Sequence, residues 1–288
     1  MKTPAPGAPP EGGCLYLVAT PIGNLEDITV RALRLLGEVD LIACEDTRQT
    51  AKLLQHYGIH KQMISYHEHN ELTRSAELAL QIEQGAKIAL VSDAGTPMIS
   101  DPGHHLVSLC LRHHLPVIPI PGPSAIIAAI AASGLPMEQF LFVGFLPSRA
   151  GERRKALKQL SGENRTLVLY ESPHRLAETL ADALDRFGRR QAVIARELTK
   201  LHEEFLRGDL AELVVLVGRH PPRGEITLLI GPPEPGEASP ALPSEPMRNR
   251  VEQIMRDQRL DRKAALKAAA RERGLTKREA YKELLSDG

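Results

Sequence analysis

Short β-branched apolar runs alternate with helix-period segments from Cys14 to Ile230, and that alternation restricts the fold more than any other feature of the chain. CLYLVA (14–19), DLIACE (40–45) and AKIALVS (86–92) read as strands. The third is apolar throughout, as a central strand covered on both faces must be. A shorter run near Met63–Ser65 and PVIPI (116–120) complete the first half. Between them, Asp27–Gly37, about Arg48–Tyr57, Glu71–Gln84 and His104–His114 carry apolar residues three or four apart, which predicts helices. Such β–α alternation predicts a doubly wound α/β architecture with a mainly parallel sheet and its ligand site at the carboxyl ends of the strands.

PGPSA (121–125) punctuates the pattern and opens a small-residue helix reaching Gly134. Strands follow near Phe140–Val143, Thr166–Tyr170, Gln191–Ala195 and Glu225–Ile230, with helices between them and a basic one at about Gly151–Leu160. The expected organisation is a disordered leader (1–13), an N-terminal αβ domain (14–120), a second αβ domain (121–231), a Pro/Gly/Ser/Glu linker (232–246) and a basic helical C-terminal region (247–288). The cleft between the two αβ halves is the expected site. Net charge is zero, so any argument for nucleic acid has to be local, and residues 248–282 supply one with 12 Lys or Arg against 5 Asp or Glu. Cys14, Cys44 and Cys110 have neither paired nor metal-ligand spacing, which suits a reducing compartment and core packing. No apolar run reaches the length of a membrane span.

The familiar nucleotide and nucleophile motifs are missing: there is no G-x-G-x-x-G after the first strand, no G-x-x-x-x-G-K-[ST], no H-E-x-x-H and no G-x-S-x-G. His67 and His69 are two residues apart and the other His pairs are adjacent, poor spacings for a shared ion, so no metal is expected. Three strand-end loops stand out instead. ATPIGNLEDIT (19–29) combines Pro21, which fixes the backbone, Gly23, which permits close approach, and Asn24 or Asp27 as helix caps. SDAGTPMISDPG (92–103) leaves many backbone polar groups to satisfy, more than a bare turn needs. PGPSA offers small residues and Ser124 to a flat ligand. In the second half, YESPHR (170–175) and ARELTKLHEE (195–204) set Glu171, Arg175, Arg196 and Glu197 just beyond apolar strands.

Taken in order, ATPIGNLEDIT, CEDTR (44–48), SDAGTPMISDPG, PGPSA, ESPHR, ARELTK and GEIT (224–227) resemble the ribosomal RNA small subunit methyltransferase I family, the RNA-directed branch of the tetrapyrrole-methylase-like (class III) methyltransferases. The resemblance runs from about Cys14 to Ile230. It implies two αβ domains, usually in a homodimer, with S-adenosyl-L-methionine bound between them. The implied reaction is methylation of the ribose 2′-oxygen of a cytidine in the decoding region of 16S rRNA, within the small ribosomal subunit in the cytoplasm. Matched by position, Pro21 borders the cofactor; Ala94, Gly95, Thr96 and Ile99 hold its methionine part; Ser124 and Ala125 follow; and Glu171, Arg196 and Thr227 face it from the second domain. Where tetrapyrrole methylases commonly carry Gly-Asp-Pro, this chain has Gly95-Thr96-Pro97, and Pro21-Ile22-Gly23-Asn24 replaces their Gly-rich first loop; the RNA branch shares both versions.

A ribose hydroxyl is a weak acid, so a base or cation that eases proton loss contributes about 10²–10⁴-fold. Glu45, Glu197, Lys200 and His202 are candidates. Arg48, Arg153, Arg154 and Arg175, with Arg262, Lys263, Lys267, Lys277 and Arg278 in the tail, are candidates for RNA phosphates. The target nucleotide has to be splayed out of structured RNA. Two alternatives stay open at this point: a methyltransferase for a small tetrapyrrole, which gives no reason for a basic tail, and a non-catalytic ribosome-binding protein, which gives none for the 92–103 loop.

Overall fold

The computed structural model describes residues 12–234, 247–258, 260–272, 275, 280–282 and 284. Five strands, β1 (Cys14–Val18), β2 (Leu41–Cys44), β3 (Met63–Ser65), β4 (Lys87–Val91) and β5 (Val117–Ile120), form a sheet in the order β3-β2-β4-β1-β5 with every pairing parallel. Helices α1 (Val30–Glu38), α2 (Thr47–His56), α3 (Glu71–Glu83) and α4 (His104–Arg112) cover it. The period-2 geometry of a strand sorts β1 between two cores. Cys14, Tyr16 and Val18 pack with Ala32, Leu35, Leu36 and Leu54 of α1 and α2 on one face. Leu15 packs with Leu78, Ile82, Leu106 and Cys110 of α3 and α4 on the other. Each such fully buried Leu or Ile contributes about 1.5–3 kcal/mol.

Local chemistry sets the helix starts. Asn24 accepts a hydrogen bond from the Glu26 amide and caps a single 3₁₀ turn (Leu25–Asp27), while the N-cap of α1 is Thr29, whose hydroxyl accepts from the Ala32 amide. Asp46 caps α2 in the same way.

The second sheet departs from expectation. Its strands are β6 (Phe140–Phe145), β7 (Thr166–Glu171), β8 (Gln191–Arg196), β9 (Glu204–Asp209) and β10 (Ile226–Ile230), in the order β6-β7-β10-β8-β9. Only β6 and β7 run parallel; β10 is antiparallel to both neighbours, and β8 and β9 form an antiparallel pair. The sheet is therefore mixed, and β9 lies inside a stretch whose charge masks it. Helix α5 (Ala125–Ser133) covers one face, where Ile126, Ala129 and Ile130 meet Val168, Val193 and Leu229. Helices α6 (Ala150–Gln159), α7 (Pro173–Phe187) and α8 (Leu210–Arg219) cover the other. Ile22, from the loop after β1, belongs to the α5 core and ties the first half to the second.

Beyond residue 246, α9 (Met247–Gln258) and α10 (Arg262–Glu272) build a core of their own from Met247, Val251, Ile254, Ala265, Leu266 and Ala269. Among the described residues no helix is long and apolar enough to cross a membrane, and the three cysteines are buried and free.

Candidate functional site

The loops after β1, β4 and β5 are stitched to one another. Thr20 and Gly95 exchange backbone hydrogen bonds at 2.9 and 3.0 Å, and the Thr20 hydroxyl donates to the Ser92 carbonyl at 3.1 Å. The Thr96 hydroxyl donates to the Pro123 carbonyl at 3.3 Å. This stitching needs unusual backbone: Gly95 has φ +83°, and Met98 and Ser100 lie in the left-handed region at +72° and +67°. Non-glycine residues held there store strain that the surrounding bonds must sustain, a pattern concentrated at functional sites.

These loops form one wall of a cavity of about 390 Å³, a size typical of ligand sites. Ala94, Gly95, Thr96, Ile99, Asp101, Ser124 and Ala125 line that side. Tyr170, Glu171, Ala195, Glu225, Ile226 and Thr227 line the other, from the ends of β7, β8 and β10. The structure thus gathers eight of the ten residues expected to border a cofactor: Ala94, Gly95, Thr96, Ile99, Ser124, Ala125, Glu171 and Thr227. Pro21 and Arg196 are not on the wall. Pro21 precedes Ile22, which is, and the Arg196 guanidinium is spent on the Arg223 and His202 carbonyls and Glu204.

The second wall is braced from behind. The buried Glu171 carboxylate accepts from the Thr179 hydroxyl at 2.6 Å and the Ser172 amide at 2.8 Å, with Arg175 at 3.4 Å. Lys200 donates to Glu197 at 2.8 Å and to Glu225 at 3.1 Å. Its aliphatic stem lies over Gly23, where a Cβ would run into Lys200 Cγ and meet the Leu198 carbonyl at 3.0 Å. Glycine at 23 is thus what lets the 197–203 loop close on the first half.

The proton-transfer candidates fare unequally. The hydrogen bond from Lys200, with the Glu225 amide, holds Glu197 below the usual carboxylate range. Burial disfavours charge on Lys200, but Glu197 and Glu225 outweigh it and raise its pKa. His202 is exposed and off the cavity wall. Burial, then the Asp93 carboxylate, push Glu45 up, yet it too is off the wall.

Among the RNA candidates, Arg48 has an exposed side chain paired with Asp46 at 2.7 Å, and Arg154 an exposed one beside Asp182 at 3.3 Å. Arg153 requires a correction. Its side chain is only 3% exposed, bound to Asp182 at 2.7 Å and Glu178 at 3.0 Å, so it braces α6 against α7 instead of meeting phosphate. Arg175 is half-buried and donates to the Leu146 and Pro147 carbonyls at 2.6 and 3.1 Å, which leaves it a strut behind Glu171 and not an open phosphate contact. Arg262, Lys263 and Lys267 are exposed on α10; Lys277 and Arg278 lie outside the described residues.

Sequence reasoning singled out the 92–103 loop without singling out Asp101, and it passed over Phe145, Tyr170 and Glu225 on the wall. Burial and the nearby Glu45 push the Asp101 carboxyl up to about 6, with Asp93 adding to the rise and a hydrogen bond with Ser92 opposing it. Phe145 is 57% exposed and tilted against Tyr170 at 5.5 Å, directly after Gly144, where the β6–β7 register shifts and φ is +74°. Only the fold reveals that bulge, which turns an aromatic ring toward the cavity mouth.

Known proteins resemble this arrangement at several levels. The family model described as Tetrapyrrole (Corrin/Porphyrin) Methylases matches residues 14–214. Ribosomal RNA small subunit methyltransferase I of Synechocystis is 47% identical over 280 residues, covering 96% of this chain and 100% of that protein. The protein of the same name from Thermotoga maritima is 51% identical over 218 residues, covering 76% of this chain and 98% of its own. In three dimensions, the uroporphyrin-III C-methyltransferase of Thermus thermophilus, solved as a complex with S-adenosyl homocysteine, superposes with a TM-score of 0.54 at 23% identity, over 76% of this chain and 97% of that one. The chain belongs to the tetrapyrrole methylase family, in the branch of the ribosomal RNA small subunit methyltransferases I.

Proposed function

We propose that the chain transfers the methyl group of S-adenosylmethionine to the ribose 2′-oxygen of a cytidine in the decoding region of 16S rRNA, acting as a cytoplasmic homodimer on the small ribosomal subunit. The observation that carries this reading is the ligand-sized cavity walled by the strand ends of both sheets. It occurs in a chain whose relatives of matching length bear the name of a ribosomal RNA methyltransferase.

The lining fits the cofactor's chemistry. Ala94, Gly95, Ser124 and Ala125 are small enough to leave peptide groups open to a ligand, and Ile22, Ile99 and Leu198 add apolar surface. Asp101, Glu171 and Glu225 make the lining acidic, and no Lys or Arg is part of it, which suits a cationic ligand. When bound, S-adenosylmethionine supplies a methyl group already activated on its sulfonium. What remains for the protein is alignment of the acceptor oxygen, exclusion of water and removal of one proton. Alignment alone is worth about 7–11 kcal/mol in favourable cases. Ala94, Gly95, Thr96, Ile99, Ser124 and Ala125 hold the cofactor from the first half and Glu171 and Thr227 from the second. Pro21 and Arg196 act from behind the wall. Phe145 and Tyr170 provide a face on which a splayed base stacks, and Arg48 and Arg154, with Arg262, Lys263 and Lys267, meet the backbone phosphates.

The test is methyl transfer from labelled S-adenosylmethionine to small subunits isolated from a strain lacking this protein, with the acceptor nucleotide mapped. Label in one ribose-methylated cytidine is the expected result. Cofactor binding without label on subunits or naked rRNA overturns the RNA substrate.

A further inference from the structure

Helix α4 follows the 92–103 loop directly, and its N-cap is Gly103, which has no side chain to offer the first amides of the helix. None could stand there. The backbone has φ +143°, and a Cβ would lie 2.7 Å from Met98 Cγ and 2.9 Å from Leu90 Cδ2. The cap comes from another helix instead. Glu71, the first residue of α3, accepts on Oε1 from the Gly103 amide at 3.0 Å and the His105 amide at 3.2 Å. The hydroxyl of the buried Tyr66 donates to the same oxygen at 3.2 Å. Burial disfavours charge on Glu71, but the two amides and the hydroxyl outweigh it and hold the carboxyl below its usual range. The HEHN run (67–70) presents this residue by folding into a turn: Asn70 accepts from the His67 amide at 2.9 Å and donates to the Ser65 carbonyl at 3.1 Å.

Glu71 thereby anchors the loop at its far end. The Thr20–Gly95 bonds fix its start and the Thr96–Pro123 bond its middle. Between that middle and Gly103 run the left-handed Met98 and Ser100, with Ile99, Ser100 and Asp101 on the cavity wall. A strained stretch keeps one shape only while both of its ends are held. Glu71 is not itself on the wall. We infer that Glu71 is a positioning residue for the cofactor, acting through the Gly103 and His105 amides on the part of the wall formed by Ile99, Ser100 and Asp101. The inference rests on the methyltransferase reading above. A carboxylate suits the task because it meets two amides at the positive end of a helix with a full charge.

The experiment uses the full chain with Glu71→Gln, Glu71→Ala and, in the same helix, Leu78→Ala, which opens the core that α3 shares with α4 but removes no bond to the loop. S-adenosylmethionine affinity is read by titration calorimetry, melting temperature by calorimetric scan, and methyl transfer to small subunits at saturating cofactor. Glu71→Ala should weaken cofactor binding about tenfold or more, with the subunit concentration for half-maximal rate within about twofold. Glu71→Gln keeps an oxygen for both amides and should stay within about threefold of the parent. Leu78→Ala should lower the melting temperature at least as far as Glu71→Ala, with cofactor Kd within about twofold. A Glu71→Ala variant within about twofold of the parent Kd overturns the inference. So does a Gln variant as weak as the Ala one, or a Leu78→Ala variant that loses as much affinity, since either reduces Glu71 to general support of the fold. If Glu71→Ala does not fold, Glu71→Asp, about one methylene short of both amides, takes its place: binding about fivefold weaker is expected, and an unchanged Kd overturns the inference. Failure of the unsubstituted chain to bind the cofactor overturns the methyltransferase reading, and this inference with it.

Discussion

Asp101 binds its proton more tightly in the folded chain, near pH 6, than an ordinary aspartate does near 3.8. Folding is therefore fully supported by this group below the unfolded value, and that support is lost as pH rises through about 6. Asp101→Asn should melt higher than the parent at pH 8 and indistinguishably from it below about pH 4, as calorimetric scans would register. Thr96→Arg inserts a long cation into a lining that has none, so cofactor binding should fall below detection by titration calorimetry. Arg153→Met acts elsewhere: it leaves Asp182, 17% exposed, with Arg154 as its remaining cation and takes the partner from Glu178, and it should cost about 2 kcal/mol in denaturant unfolding while leaving cofactor affinity unchanged. Charge counting cannot separate Arg153 from Arg154, but helical spacing can. Arg153 and Leu157 are four apart on the buried face of α6, so the apolar stripe already pointed at it.

The legibility of the elements follows how they are buried. Strands β1, β2 and β4 are covered on both faces, so their apolar runs announce themselves. Strand β9 is an edge, half of its residues charged, and charge on an edge discourages pairing between molecules while hiding the strand from pattern reading. The antiparallel setting of β10 was equally unreadable, because an all-buried ITLLI looks the same in either direction. The strand-end loops were legible as locations, because twelve residues of turn chemistry after β4 need partners. A cleft between the halves was legible too, but not how it closes, which depends on approaches such as that of Lys200 over Gly23. Gly23→Val tests that approach. By forcing Lys200 aside it should weaken cofactor affinity about tenfold in titration calorimetry and lower the melting temperature, without altering the far-ultraviolet circular dichroism.

At the scale of the molecule, α9 and α10 hold a core separate from those of the two sheets. A chain ending at residue 234 should keep the melting temperature and cofactor affinity of the full chain. Its binding to small-subunit RNA should weaken and show a shallower salt dependence, by about 0.9 in log–log slope for each phosphate that the tail neutralises. Fluorescence anisotropy between roughly 50 and 200 mM salt measures this, and an unchanged slope means that the tail neutralises no phosphate. Strand order carries a consequence for how the molecule is made. Strand β1 leaves the ribosome first, yet its neighbours are β4 and β5, so at roughly 5–20 residues per second it waits several seconds for a partner. The second sheet waits longer, because β10 is its middle strand and the last of the ten to be synthesised. A nascent chain stopped before Ile226 holds a finished first sheet beside two unjoined strand pairs, and it lacks the part of the cavity wall formed by Ile226 and Thr227. Translation products that stop before Ile226 should therefore compete with the finished protein for neither cofactor nor substrate.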